Sequence, residues 1–182
     1  REDDIPNRPD TVFDIGSLTK QFTAAAVLRL VEQGELSLTD TLGDLFDTVP
    51  EDKSPITLHQ LLVHTAGFSP ALGDDEEPIG RDAYLERAFT AELYYEPGTV
   101  HSYSNVGYSI LAAVIELRTE QSYEQFLRSE LFEPADMQNT GYLLPNWDEQ
   151  NVATGRGEDG SDPPLERAHD EDGPYWNLRG NG

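Results

Sequence analysis

Apolar positions recur along this chain with a period near 3.6 residues rather than 2, the signature of helices that each bury one face. From Ser17 onward Leu18, Phe22, Ala25, Ala26 and Leu30 keep helical spacing, and Gly34 stands where that helix would end. The stretch TLHQLL opens with Thr57 and carries Gln60 three residues later. In such a capping box each side chain bonds the other residue's backbone amide, so a short helix is expected through about Val63, closed by Gly67. Tyr84, Leu85, Ala88 and Phe89 predict a third helix between Arg81 and Leu93, after an acidic loop, GDDEEPIG, that reads as solvated and mobile. Val106, Ile110, Val114 and Leu117 predict a fourth helix starting at Ser104. A fifth runs from Ser122, whose Gln125 completes another capping box, through Tyr123, Phe126, Leu127 and Leu131 until Pro134.

After Gly141 the texture changes to Gly, Pro and Asp, with at most short strands around Gly141 to Leu144 and Asn151 to Thr154. A tail of this kind is expected to cover little core. At 182 residues the chain is long enough for one domain with a substantial core, and no internal repeat interrupts it. With a mean hydropathy of -0.56 and no apolar run approaching the roughly 18 residues of a membrane span, the chain reads as soluble.

Charge narrows the partners. Twelve basic against thirty-five acidic residues give a formal charge of -23, which repels phosphate backbones and anionic membrane surfaces and argues against nucleic acid as a partner. Acidic residues are spread along the whole chain and the only lysines are Lys20 and Lys53, a pattern that suits a saline setting. The absence of cysteine excludes disulfides and thiolate metal sites. The first residues, REDDIPNRPD, are charged and turn-forming rather than an apolar leader, and the chain reads as starting mid-protein.

Chemistry enters at FDIGSLTKQF, where Ser17 precedes Lys20 by three residues. Ten serines and two lysines in a chain of this length would give only about 0.1 such pairs by chance. On a helix the two side chains share a face, and the first turn offers free backbone N–H groups to a developing oxyanion. The competing reading is an N-cap serine beside an exposed lysine. To act as a base, Lys20 must lose a proton that an ordinary lysine, with a pKa near 10.4, holds at neutral pH. Poising it near 7 takes about 4.6 kcal/mol of burial and neighbouring charge, so a buried site with a second polar partner is required. HSYSN supplies candidates: the phenol of Tyr103 can relay a proton beside a cation, and Asn105 can orient the lysine or a substrate carbonyl. Read alone, the two fit better as a core tyrosine and a capping asparagine; it is the three elements together that favour the site.

Four blocks, PDTVFDIGSLTKQFTAAAVLRLVEQGELSLTDTL, ITLHQLLVHTAGF, PGTVHSYSNVGYSILAAVIE and YEQFLRSELFEPADMQNTGY, occur in this order and together resemble the serine β-lactamase and penicillin-binding-protein-like family. The likeness lies with the branch that holds class C β-lactamases, family VIII esterases and D-stereospecific peptidases. It covers most of Ile5 to Tyr142. It implies an α+β, β-lactamase/transpeptidase-like fold, of which this chain would carry mainly the helical lobe, without much of the antiparallel sheet. It also implies Ser17 as the acylated nucleophile, Lys20 and Tyr103 as a shared acid/base pair, and Asn105 as the substrate-binding member of a Y-x-N element. The substrate would be a small-molecule or peptide acyl donor, with no metal or cofactor, and the setting periplasmic or secreted. His64, in HTAG, matches a structural block rather than a catalytic motif. His101 reads as a packing or rim residue, and neither histidine has metal-site spacing.

The chain departs from the family's pattern at both ends. The third motif, K-T-G or H-T-G on a strand that gives one oxyanion-hole N–H, would follow the point where RGNG closes the chain. The first helix and leading strands would precede IPNRPDTVF. Residues 1–182 are thus expected to form a single incomplete domain, with a helical lobe at 1–142 and an irregular segment at 143–182. Two functions follow: a serine hydrolase acting through an acyl-enzyme on an ester or amide, or a catalytically inactive binding module of the same fold.

Overall fold

The computed structural model describes residues 6–143, 152–153, 169–170 and 173–182. In chain order these form a 3-10 turn at Gly16–Leu18 that runs into α1 (Thr19–Glu32), then α2 (Leu42–Leu45), α3 (Leu58–Leu62), α4 (Arg81–Thr90), α5 (Asn105–Thr119) and α6 (Tyr123–Leu127). A π-helical turn at Arg128–Phe132 extends α6. A two-residue hairpin, β1 (His169–Asp170) against β2 (Gly173–Pro174), is antiparallel. Among the described residues no helix is long and apolar enough to cross a membrane.

The core is organised around α5. Ten consecutive residues, Val106 to Ile115, are buried, because α1, α3, α4 and α6 all pack on this helix. Spacing alone predicts an amphipathic helix, but the small residues Gly107, Ser109, Ala112 and Ala113 leave room for neighbours on the remaining sides. Leu117, expected on the buried face, is exposed near the C-terminal end. Both predicted capping boxes are present: Thr57 with Gln60 opens α3, and Ser122 with Gln125 opens α6. A third, Thr41 with Asp44, opens α2, a helix of a single turn in which no periodicity can register. The acidic loop is solvated at Asp74, Asp75 and Glu76. It is also anchored, by a two-pronged Glu77–Arg87 ion pair and by Asn177 Nδ2 donating to the Asp74 carbonyl.

Two expectations about the chain's last third need correcting. Gly141 to Leu143 form bends rather than a strand, and Val152 makes only an isolated parallel bridge to Val12; Leu144, Asn151 and Thr154 lie outside the described residues. The tail does cover core: Trp176, Leu178, Arg179 and Asn181 are all buried. The reason is a run of polar anchors that composition does not reveal. Arg179 donates to the Pro174 carbonyl, lies 5.1 Å over the Trp176 ring and approaches Glu116 of α5 at 3.7 Å. Asn181 Nδ2 donates to Ser109 Oγ at 2.8 Å and to the Asn177 carbonyl at 2.9 Å.

The same anchors rotate α1. Its buried face is Thr19, Lys20, Thr23, Ala26, Val27 and Leu30, whereas Leu18, expected inside, is 62% exposed. Thr23 can be fully buried because its hydroxyl donates to the Gly180 carbonyl at 2.6 Å and accepts from Tyr123 at 2.7 Å.

Candidate active site

Asp14 Oδ1 accepts from the Gly16 amide at 2.8 Å, Gly16 takes φ +48°, and the chain tightens into the 3-10 turn that carries Ser17. Ser17 makes no capping bond there and its side chain is exposed, which removes the N-cap reading. One turn on, Lys20 is 6% exposed. Its Nζ donates to Ser17 Oγ at 3.1 Å and to the Asn181 carbonyl at 2.6 Å, and it lies 4.8 Å from the centre of the Tyr103 ring.

Tyr103 arrives from the loop before α5 and sets its ring beside the Lys20 amine, on the same side as Ser17, so that three side chains gather at one place. The loop is held on both sides of it. The Ser102 amide donates to the His64 carbonyl at 2.8 Å and the Ser104 amide to His64 Nδ1 at 3.1 Å. Ser104 caps α5 by accepting from the Gly107 amide, and its own hydroxyl donates to the Ser69 carbonyl at 2.7 Å. Asn105 begins α5, and its side-chain Oδ1 is buried without a hydrogen-bond partner among the described residues.

Burial lowers the Lys20 pKa below 10.5 by penalising the charged amine, while the Tyr103 hydrogen bond and charge act in the opposite direction. For Tyr103, burial raises the pKa, but hydrogen bonds from Lys20 and Ser17 and the charge of Lys20 outweigh it and leave the phenol below 10.0. Both shifts are downward, so Lys20 gives up its proton more readily than an ordinary lysine and Tyr103 more readily than an ordinary phenol.

The structure therefore brings Ser17, Lys20 and Tyr103 together and sets Asn105 two residues beyond Tyr103 at the head of α5. Sequence reasoning missed two contributors. The Asn181 carbonyl is a backbone group with no residue-type signal. His64, expected to be structural, packs its ring 4.5 Å from that of Tyr103, 5.0 Å from Tyr108 and 5.9 Å from His101, a neighbourhood that its sequence block did not specify. A cavity of about 660 Å³, lined by Phe13, Ile15, Thr19, Phe22, Tyr123 and Tyr142 among others, includes none of Ser17, Lys20 and Tyr103, so the site is located by side-chain geometry rather than by concavity.

A helical lobe presenting a serine one turn before a buried lysine, with a tyrosine from a second loop against both, has the architecture of the active-serine β-lactamase/transpeptidase fold. The Beta-lactamase family model matches residues 1–182, and the chain belongs to that family, whose members are serine hydrolases. It is 30% identical over 181 residues to protein flp of Staphylococcus aureus strain MW2, covering 93% of this chain and 34% of that protein. It is 31% identical over 157 residues to the putative penicillin-binding protein PbpX of Bacillus subtilis strain 168, covering 86% of this chain and 39% of that one. The crystal structure of the D-alanine carboxypeptidase AmpC from Burkholderia cenocepacia superposes with a TM-score of 0.78 at 26% identity, over 98% of this chain and 48% of that one. The chain thus spans little more than a third of the length of these two curated relatives.

Proposed function

We propose that the protein is a serine hydrolase that works through an acyl-enzyme on Ser17, with Lys20 and Tyr103 as a shared acid/base pair and Asn105 binding the substrate. The observation that carries this reading is the 3.1 Å contact between Ser17 Oγ and a lysine amine that is buried and has its pKa lowered. In the neutral form Lys20 keeps one N–H on the Asn181 carbonyl and turns its lone pair to Ser17. Ser17 Oγ then attacks the substrate carbonyl as its proton passes to the Lys20–Tyr103 pair. The tetrahedral intermediate collapses, the pair returns that proton to the leaving alkoxide or amine, and the acyl group stays on Ser17 as an ester. Water attacks the ester by the reverse proton route and frees the serine. Asn105, two residues beyond Tyr103 at the head of α5, is the residue assigned to binding the acyl donor.

We rank esters and D-amino-acid peptides a little ahead of β-lactams as substrates; the superposed D-alanine carboxypeptidase keeps D-alanyl peptides among the substrates to assay. Incubating the full-length gene product with a fluorophosphonate and with a penicillin, followed by peptide mass mapping, tests the nucleophile. An adduct on Ser17 that is lost in Ser17→Ala is expected. No adduct would sink the enzyme reading and leave the inactive binding module. Parallel assays on a p-nitrophenyl ester, a D-alanyl peptide and a β-lactam then rank the substrates.

A further inference from the structure

We propose that His64 is a positioning residue for the reaction, holding Tyr103 in place through the two amides that flank it. This rests on the reading of Tyr103 as a proton carrier. One residue clamps both neighbours of the tyrosine: the His64 carbonyl takes the Ser102 amide and its Nδ1 takes the Ser104 amide. The tyrosine between them is thereby fixed to within the play of two hydrogen bonds.

The clamp is built on an unusual backbone. His64 adopts φ +56°, just beyond the Val63 C-cap of α3, and in this conformation its carbonyl and its ring nitrogen face the same loop. The ring completes the arrangement by lying at 32° to the Tyr103 ring with centroids 4.5 Å apart. Tyr108, on the first turns of α5, lies 5.0 Å from the same imidazole and donates its hydroxyl to the Leu62 carbonyl at 3.0 Å, tying the stack back to α3.

Accepting from Ser104 requires Nδ1 to be free of a proton, so the proton of the neutral ring sits on Nε2. Burial, followed by the nearby charges of Lys20 and His101, lowers the His64 pKa below 6.5 and keeps that form populated. A histidine here therefore supplies an acceptor at a fixed distance from Cα, a flat face for the tyrosine, and no charge to compete with Lys20.

The requirement for an acceptor at this one place gives the test. Asparagine tolerates a left-handed backbone and puts its Oδ1 close to where histidine has Nδ1, whereas glutamine carries its oxygen one bond further out. In the full-length protein, His64→Ala is expected to lower kcat on the reactive ester by about 10- to 100-fold, the cost of a misplacement of order an ångström, with KM changed less than about threefold. His64→Asn is expected to restore kcat to within about threefold of the parent, and His64→Gln to behave like His64→Ala. In a Tyr103→Phe background His64→Ala is expected to cost nothing further, since the histidine acts through the tyrosine. An unchanged kcat in His64→Ala, an equal loss in the Asn and Gln variants, or a further loss in the Tyr103→Phe background would overturn the proposal. If His64→Ala does not fold, the Asn–Gln contrast reads the same prediction. A Tyr103→Phe protein with full activity would instead overturn the role of Tyr103 itself, whatever the His64 variants do.

Discussion

At the scale of single residues the proposed mechanism makes Ser17, Lys20 and Tyr103 exchange a proton, and its pH dependence follows from which form of Lys20 reacts. A neutral amine is needed, so kcat/KM should rise as pH climbs through the folded-state pKa of Lys20, which lies below 10.5. Tyr103 holds that pKa up through its hydrogen bond and charge. Tyr103→Phe should therefore move the acid limb to lower pH while the plateau falls; a limb displaced to higher pH in a kcat/KM profile would contradict the scheme. Stability changes in the same sense. The unfolded chain binds the lysine proton more tightly than the folded one, so the stability assigned to this lysine is complete above 10.5 and is lost as pH falls towards the folded value.

At the scale of elements the caps were written in the sequence and the faces were not. Thr57 with Gln60 and Ser122 with Gln125 act locally, between residues three apart, so their motifs specify what they do. The face of α1 depends on carbonyls more than 150 residues away, and its polar buried positions, Lys20 and Thr23, are inexplicable without Gly180 and Asn181. Gly180 is the hinge of that arrangement. It takes φ +80°, and a Cβ there would lie 2.7 Å from Ala112 Cβ and 2.9 Å from the Tyr108 carbonyl. Gly180→Ala should cost about 1–3 kcal/mol in urea denaturation and, by displacing the Asn181 carbonyl from Lys20, should lower activity with it. A variant with parental stability and activity would show that the tail does not support the site.

At the scale of the whole molecule the dominant feature is charge. A formal -23 on 182 residues means self-repulsion that salt screens, and the screening length falls from roughly 30 Å at 0.01 M to about 3 Å at 1 M. The melting temperature should rise between low and molar salt, measurable by calorimetry across a salt series. A flat or falling curve would remove the saline interpretation. Exposed ion pairs such as Arg29–Glu32 and Arg81–Asp82 contribute little against that repulsion.

The sequence by itself determined the longer helices, the capped starts of α3 and α6 and the family, because periodicity, capping boxes and the blocks around Ser17, Tyr103 and Asn105 are all short-range patterns. It also narrowed the chemistry to a serine with a lysine one turn away, since three residues on a helix fix that neighbourhood. Only the tertiary structure decided that Lys20 is buried, that its third partner is the Asn181 carbonyl, that the tail packs into the core and that His64 grips the loop of Tyr103. Each of these is a contact between residues distant in the chain, and most close on a backbone carbonyl or amide, a partner that no residue type announces.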